Sequence, residues 1–351
     1  MAPTLGPASC VKKIVVDYRE PGPLPEPPGA PDELSSAPED ADSTDAEHEL
    51  REWRVDVADH GQRLDRILAL RIGAFSRSHL QSLIERGHVR VDGAAATTAS
   101  RKMRAAQHLA VELVPTASSR AFCAEAMHLQ VVYEDEHLLV IDKPAGLVVH
   151  PAAGNWSGTL LNGLLARDAA AFDLPRAGIV HRLDKDTSGL MLVARSLVAM
   201  TALTRAIAAR EVHREYLALA HGVVLPPSFS VEAPLGRDPA SRVRMAVVPG
   251  GKAARTDVRV LASRGGSEAV SALRCILHSG RTHQIRVHLA SRGHPLVADA
   301  LYGGRPLLGL ERQALHAAHL RLAHPTTAAP LSFESALPPE MQQAWREATS
   351  D

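Results

Sequence analysis

The sequence predicts a mixed α/β (α+β) fold of two domains, and three observations support this prediction. Apolar residues recur at helical spacing in some segments, such as residues 64–72, whereas residues 190–194 form a continuous apolar run with the length of a buried strand. A chain of 351 residues has the length of about two domains. Its 45% hydrophobic residues are sufficient to build a core in each.

Residues 1–50 differ from the rest of the chain in composition and charge. They contain many prolines, three basic side chains and eleven acidic ones. Such a segment buries too little apolar surface to offset the entropy of ordering it, so we expect a disordered acidic tail. The remaining residues carry 36 basic and 28 acidic side chains. This basic excess is compatible with a polyanionic partner.

Residues 51–114 predict a small α/β domain. Two helix-spaced segments precede an alternating strand at residues 88–91, which Asp92 and Gly93 turn. Many polar positions are basic, which alone would fit a solvated surface. The segment resembles the small RNA-binding domain named after a small-subunit ribosomal protein, the alpha-L motif, and this resemblance implies phosphate contacts without sequence preference. The residues expected to bind RNA are Arg63, Arg66, Arg77, Arg86, Arg90 and Lys102.

A linker is expected at residues 115–126, followed by a second domain at residues 127–351. Apolar runs at 129–133 and 138–141 predict a hairpin, and helices are expected at 159–167 and 197–210. The three cysteines are far apart and indicate neither a disulfide framework nor a zinc site. The sequence has no apolar run of membrane-spanning length and no targeting signal, so we expect a cytoplasmic protein.

Residues 178–195, with the sequence GIVHRLDKDTSGLMLVAR, place a dense polar group directly before a buried strand. Composition alone would favour a solvated turn, because short polar side chains bond their own backbone. However, Arg182 and Asp184 alternate across Leu183, so both point to one face of an extended chain while Leu183 anchors in the other. A carboxylate held beside a guanidinium stays ionised, which suits a nucleophile.

The string HRLDKDTSGLMLVAR resembles the signature of the pseudouridine synthases that act on large-subunit ribosomal RNA, the RluA/RluD family. The resemblance covers residues 60–345 and implies a catalytic domain with a largely antiparallel mixed sheet flanked by helices and loops. It also implies isomerisation of uridine to pseudouridine in RNA, without cofactor or metal. Asp184 then takes the role of the catalytic aspartate.

The same string implies the groups that contact the substrate. A uridine stacked in a helix must be extruded before it can react, at a cost of a few kcal/mol. Arg182 is the natural side chain to fill the gap and hold the phosphates. We also expect His181, Leu183 and Thr187 to bind the substrate.

Two further motifs continue the resemblance. A lone tyrosine such as Tyr216, near the start of a strand, is more often a core ring, but the family has its active-site tyrosine at this point. There it can stack on the flipped base and accept a proton. The string GRTHQIRVHL at residues 280–289 resembles the family motif whose first arginine pairs with the catalytic aspartate. Arg281 is therefore the expected partner of Asp184.

Other features of this region bear on metals and on departures from the family pattern. His283, His288 and His294 are spaced by five and six residues, which matches neither a HExxH site nor a zinc finger. We therefore expect no metal. Ala298 stands where the family usually has glycine before Asp299, and it could narrow a tight turn.

Several alternatives remain open at this point. The chain could be a catalytically silent RNA-binding or ribosome-assembly factor, a pseudouridine synthase acting on tRNA, or an N-glycosidase or RNA hydrolase that uses Asp184 with water. Asp184 could bond to the sugar, bond to the base or only remove a proton. We expect a monomer whose partner is large-subunit ribosomal RNA or its assembly intermediates.

Overall fold

The structure is a computed structural model that describes residues 12–16, 49–72, 77–113, 121–152, 155–241 and 243–350. The chain divides into two compact units. The smaller unit is Pro27–Ala121, and the larger unit combines Met1–Glu26 with Phe122–Asp351. No helix in the described ranges has the length and apolar character needed to cross a membrane.

The first strand, β1 (Lys12–Val16), lies within the segment whose composition predicts disorder. It pairs in parallel with residues 331–335, close to the C-terminal end of the chain. The prediction of a disordered tail is therefore wrong for these five residues. Residues 1–11 and 17–48, on which the rest of that prediction falls, lie outside the described part of the chain.

In its described residues, the smaller unit has four antiparallel strands and two α-helices. Its elements are β2 (Glu49–Arg54), α1 (Leu64–Arg71), α2 (Arg77–Glu85), β3 (Val89–Val91), β4 (Ala94–Ala95) and β5 (His108–Leu113), with strand order β2-β5-β3-β4. The apolar faces of both helices pack with the sheet, as Ile67, Leu80 and Val111 show. Both predicted helices are confirmed. Asp92 and Gly93 take positive φ angles of 53° and 83° between β3 and β4, as a tight hairpin turn requires.

The larger unit contains a ten-stranded sheet within the described residues. Its remaining strands are β6 (Gln130–Glu134), β7 (Leu138–Lys143), β8 (Ser188–Ala194), β9 (His213–His221), β10 (Ser228–Glu232), β13 (Arg255–Arg264), β14 (Val270–Leu277), β15 (Leu315–Ala323) and β16 (Pro330–Ser335); β11 (Leu235–Arg237) and β12 (Met245–Val247) form a separate pair. The order is β10-β13-β14-β9-β15-β8-β7-β6, and β16 joins β15 to β1. The pairs β15/β8 and β1/β16 are parallel, and the other pairs of neighbouring strands in this sheet are antiparallel. The predicted fold class and the hairpin β6/β7 are confirmed.

The α-helices of the larger unit in the described part of the chain are α3 (Leu160–Arg167), α4 (Leu197–Ala208), α5 (Gln284–Ser291) and α6 (Pro339–Thr349). The helices expected at 159–167 and 197–210 are α3 and α4, and each begins after a hydroxyl cap, Thr159 and Ser196 respectively. The sheet face that carries Tyr216 packs on α3 and α5. Tyr216 therefore lies on the face of the central strands that α3 and α5 cover.

Gly189 explains how the parallel pair β8/β15 can form beside the polar loop. Its φ is +112°, and a Cβ added there would lie 2.4 Å from the carbonyl oxygen of Ala317 in β15. Only glycine combines this backbone conformation with this close approach. The loop of residues 181–187 is thereby held against the centre of the sheet.

Candidate active site

Two adjoining cavities open on the larger unit and share Arg182, Leu183, Asp184, His283 and Arg286. We name the first the Tyr216 pocket; it is also lined by Thr187, Arg214, Tyr216, Leu277, Gly280, Arg281, Thr282, Gln284, Ile285 and Leu315. We name the second, of about 590 Å³, the Arg312 cleft; it is also lined by Val148, Val149, Lys185, Asp186, Ala298, Asp299, Ala300, Leu301, Glu311, Arg312 and Gln313. Asp184 lies where the two meet.

The loop before β8 presents Asp184 to both cavities. Leu183 is 4% exposed and belongs to the core below the loop, while its neighbour Arg182 is exposed. The side chain of Asp184 is 14% exposed. The alternation inferred from the sequence agrees with the burial, because Leu183 is buried in the core whereas Arg182 is exposed and Asp184 is partly exposed.

Arg286, in the first turn of α5, is the ion-pair partner of Asp184. Its Nη1 lies 2.9 Å from Asp184 Oδ2, and its Nε and Nη2 each donate to a different oxygen of Asp299 at 2.8 Å. Burial disfavours the charged guanidinium, but the hydrogen bonds and charges of Asp299 and Asp184 outweigh it and raise the pKa of Arg286. Arg286 is thus a fixed positive charge paired with the Asp184 carboxylate.

This geometry corrects the expected role of Arg281 as partner of Asp184. Arg281 precedes α5, is exposed, and its Nε donates to the carbonyl oxygen of Ala253 at 3.3 Å. The helix begins at Gln284 after His283 adopts a left-handed conformation with φ 56°, which turns the chain between the two arginines. Arg281 lines the Tyr216 pocket as an exposed cation, whereas Arg286 is buried against Asp184.

His283 approaches Asp184 from the same turn. Tyr302 Oη accepts a hydrogen bond from the Met245 amide at 3.0 Å and lies 2.7 Å from His283 Nδ1. Either Tyr302 Oη or His283 Nδ1 can be the donor of this bond, which fixes the orientation of the imidazole ring. Nε2 is 3.8 Å from Asp184 Oδ1. Burial lowers the pKa of His283, with Asp184 opposing the shift, and this favours the neutral ring beside the carboxylate.

Tyr216, on β9, is 5% exposed and lines the pocket beside Asp184. Burial raises the pKa of its phenol; Arg214 opposes this shift and Asp184 adds to it. Tyr216 is therefore protonated at neutral pH. Its ring offers an apolar surface of the size of a pyrimidine base next to the carboxylate.

Lys143, which sequence reasoning did not place at the site, connects two loops beneath it. The side chain is 1% exposed, and Nζ donates to the carbonyl oxygens of Pro144, Leu147 and Lys185 at 2.7, 3.0 and 2.9 Å. Burial lowers the pKa of Lys143 to about 7. The KPAG string of residues 143–146 therefore holds the loop that carries Asp184 from below.

The remaining expected substrate-binding residues are distributed unevenly. Thr187 is buried, lines the Tyr216 pocket and accepts a hydrogen bond from Gln313 at 3.2 Å. His181 lines neither cavity; its Nε2 accepts the Leu192 amide proton at 2.8 Å and so connects the loop to β8. Burial lowers the pKa of His181 to about 3, with a smaller contribution from Arg214.

The basic residues of the smaller unit are on its surface wherever their side chains are described. Arg66, Arg86, Arg90 and Lys102 are exposed, and Arg63, with a side chain 49% exposed, pairs with Asp65 at 3.0 Å. The side chain of Arg77 lies outside the described part of the chain. In the described residues, no cluster of three or more His, Cys, Asp or Glu side chains could hold a metal ion.

Sequence comparison identifies two families in the chain. The sequence model described as RNA pseudouridylate synthase matches residues 137–291, and the S4 domain model matches residues 62–106. The first match includes Asp184, Tyr216, Arg281 and Arg286. The second match includes the basic residues of the smaller unit.

Curated relatives resemble most of the chain. The ribosomal large subunit pseudouridine synthase D of Nitrosomonas europaea is 48% identical over 289 residues, which cover 80% of this chain and 83% of that protein. The protein with the same description from Xanthomonas campestris is 43% identical, covering 87% of this chain and 94% of its own length. Among solved structures, human RNA pseudouridylate synthase domain containing 1 is 27% identical with a TM-score of 0.48, over 64% of this chain and 86% of that one.

Proposed function

Because this chain belongs to the RNA pseudouridylate synthase family, we propose that it converts specific uridines of large-subunit ribosomal RNA into pseudouridine. The chain is an isomerase that acts on uridines in RNA. The descriptions of its relatives as ribosomal large subunit enzymes support ribosomal RNA as the substrate. The S4 domain at residues 62–106 supports RNA binding by the smaller unit.

The observation that carries this proposal is the ion pair of Asp184 with Arg286 beside the ring of Tyr216. A flipped uridine that stacks on Tyr216 brings its glycosidic bond to the Asp184 carboxylate. Asp184 then attacks or deprotonates the nucleoside, the bond from the sugar to N1 breaks, and the base turns. Carbon 5 of the base finally bonds to the sugar, carbon 5 loses its proton and N1 gains one, so that the product is an isomer of the substrate.

Arg182 and the basic surface have separate tasks in this proposal. Arg182 is exposed at the edge of both cavities, where it can fill the space left by the extruded base. Arg86, Arg90 and Lys102 are exposed cations that contact phosphates and supply affinity without sequence preference. We propose a monomer that acts in the cytoplasm.

The test is to incubate the protein with large-subunit ribosomal RNA and, separately, tRNA, and to quantify pseudouridine and free uracil. We expect pseudouridine in the ribosomal RNA and no free uracil. Asp184→Asn keeps the size and hydrogen bonding of the side chain but removes its charge, so it should fold normally and lose about 10⁴-fold or more in turnover.

Each other outcome would contradict a stated part of the proposal. Free uracil among the products would reveal a glycosidase. Pseudouridine found in tRNA alone would show that tRNA, and not ribosomal RNA, is the substrate. Turnover of Asp184→Asn within about tenfold of wild type would exclude Asp184 as the catalyst.

A further inference from the structure

Arg214 is a buried cation of the Tyr216 pocket that no step described above uses. It lies on β9, two residues before Tyr216 and therefore on the same face of the strand. The residue is 4% exposed and lines the pocket together with Asp184. Its Nε is buried without a hydrogen-bond partner, and no ion pair joins the guanidinium to a carboxylate in the described ranges.

The other cations of the pocket are compensated or solvated. Arg286 donates to Asp184 and to both oxygens of Asp299. Arg182 and Arg281 are exposed to water at the rim. Arg214 alone among these four arginines is both buried and unpaired. A buried guanidinium without an acceptor is costly, which indicates that an acceptor arrives with the substrate.

Gly280 is shaped around this side chain. A Cβ added to Gly280 would lie 2.9 Å from Arg214 Nη1, and the φ of Gly280 is not in the positive range that would itself require glycine. A methyl group at this position would therefore displace the guanidinium rather than strain the backbone. The motif around Arg281 and the strand of Tyr216 together form a fitted space for Arg214.

We propose that Arg214 donates hydrogen bonds to a carbonyl oxygen of the flipped uracil and stabilises the negative charge that the base acquires when the glycosidic bond breaks. This inference rests on the proposed function and adds a catalytic residue to it. The acceptor is the base and not a phosphate, because Arg214 lies at the buried end of the pocket beside Tyr216. The exposed Arg182 and Arg281 lie at the rim of the pocket, where the phosphate backbone of the RNA stays in water.

The charge arises from the electron balance of the reaction. The bond from sugar carbon 1′ to base nitrogen N1 breaks, and its electron pair stays on the base. The detached uracil is then an anion whose charge is shared by N1, carbon 5 and the two carbonyl oxygens. Carbon 1′ is meanwhile bonded to the Asp184 carboxylate or left as a cationic sugar. When carbon 5 bonds to carbon 1′, the electron pair of the base forms the new bond, the carboxylate is released and the base becomes neutral. Loss of the carbon 5 proton is then balanced by protonation of N1. A positively charged hydrogen-bond donor that is already in place stabilises the uracil anion during this interval, without reorganisation of the site.

The first experiment compares stability with turnover for Arg214→Met. Methionine fills much of the same space and removes an uncompensated buried charge, so the melting temperature should stay equal or rise. Turnover at saturating RNA should fall about 10²- to 10³-fold, the usual loss for one preorganised donor. Arg321→Met, an exposed arginine on neighbouring β15, is the matched control and should change neither quantity.

The second experiment locates the contact on the base. The substrate is an RNA oligonucleotide that the wild type modifies, with 2-thiouridine or 4-thiouridine at the target position. Sulfur accepts hydrogen bonds weakly, so one of the two substitutions should slow the wild type. The same substitution should have at least about threefold less effect on Arg214→Met, because the contact is already absent. Gly280→Ala, which crowds the guanidinium, should lower turnover in the wild type but not further in Arg214→Met.

The outcomes separate this inference from the proposed function. Wild-type production of pseudouridine is read first and tests the function alone. With that activity present, three results would overturn the role of Arg214. The first is that Arg214→Met turns over substrate as fast as the wild type. The second is a loss of activity accompanied by a matching fall in melting temperature. The third is a loss of RNA affinity alone, with the salt slope of binding lowered by about one, which would indicate a phosphate contact.

Discussion

Arg286 holds two carboxylates at once, and this makes it the residue on which the charge balance of the site depends. Its side chain is 7% exposed, and that of Asp299 is 1% exposed. Arg286→Gln should leave Asp299 buried without a counter-charge and lower the free energy of unfolding by about 3–5 kcal/mol. Arg281→Gln, at the exposed arginine of the same motif, should change it by less than about 0.5 kcal/mol. Urea denaturation of both variants measures the difference, and equal effects would refute the assignment of the ion pair.

Ala298 departs from the family pattern, and the structure shows the backbone consequence. Its φ is 58°, a left-handed conformation in which a Cβ is unfavourable. Ala298→Gly should relieve this strain, partly offset by the larger entropy of glycine in the unfolded chain, and raise the free energy of unfolding by about 0.5–1 kcal/mol.

The matched control for Ala298→Gly is Ala290→Gly within α5, which should lower the free energy of unfolding by about 1 kcal/mol. Thermal unfolding of both variants shows whether the two shifts have opposite signs. A destabilised Ala298→Gly would mean that the Ala298 methyl group stabilises the fold more than its backbone conformation costs. Because Asp299 follows directly, turnover should be measured in parallel.

At the scale of elements, β1 extends the sheet of the larger unit at β16. The pairing joins Lys12–Val16 to residues 331–335, more than 300 positions later in the chain. Deleting residues 1–20 should remove these hydrogen bonds and lower the melting temperature by about 2–4 °C for each kcal/mol lost. Deleting residues 1–11 keeps the strand and should leave the melting temperature unchanged. If the two truncations melt alike, β1 contributes nothing to stability.

The turn between Arg281 and α5 shows how an element decides a residue's role. His283 adopts a left-handed conformation, at which the chain changes direction. The side chain of Gln284 stabilises this turn through four hydrogen bonds, with Ser279, Arg281, Arg255 and Thr256. The helix that follows directs Arg286 to Asp184 and leaves Arg281 at the rim. Two arginines five positions apart in one motif therefore have different surroundings.

For the whole molecule, affinity and chemistry should separate by mutation. Replacing Arg86 and Arg90, both exposed on the smaller unit, with alanine should raise KM and lower the slope of log affinity against log salt by about one for each lost phosphate contact. Turnover at saturating RNA should hardly change. Measuring kcat and KM at several salt concentrations provides the test.

Arg182→Ala should have the reverse effect, lowering turnover on structured RNA while binding stays within a few-fold, because Arg182 acts when the base leaves the stack. A substrate with an unpaired target uridine should recover part of this loss. The division of tasks would be wrong if Arg86 and Arg90 controlled turnover at saturation. It would also be wrong if Arg182→Ala abolished binding on both substrates.

The sequence by itself determined the fold class, the hairpin β6/β7, the helices α1 to α4 and the positions of Asp184 and Tyr216. These follow from local information, namely apolar periodicity, turn residues and contiguous motif strings, each of which is complete within a short stretch of chain. The basic character of the smaller unit is likewise a property of its composition.

Only the tertiary structure decided which groups meet at the site. Asp184 and Arg286 are 102 positions apart, and β1 and its partner strand lie at opposite ends of the chain. Whether Arg281 or Arg286 reaches the carboxylate depends on a left-handed residue and a helix start that no periodicity indicates. The burial of Arg214 behind Gly280 and of Lys143 beneath two loops likewise results from long-range packing. A sequence pattern states which side chains are present, whereas burial and charge pairing depend on which distant segments the fold brings into contact.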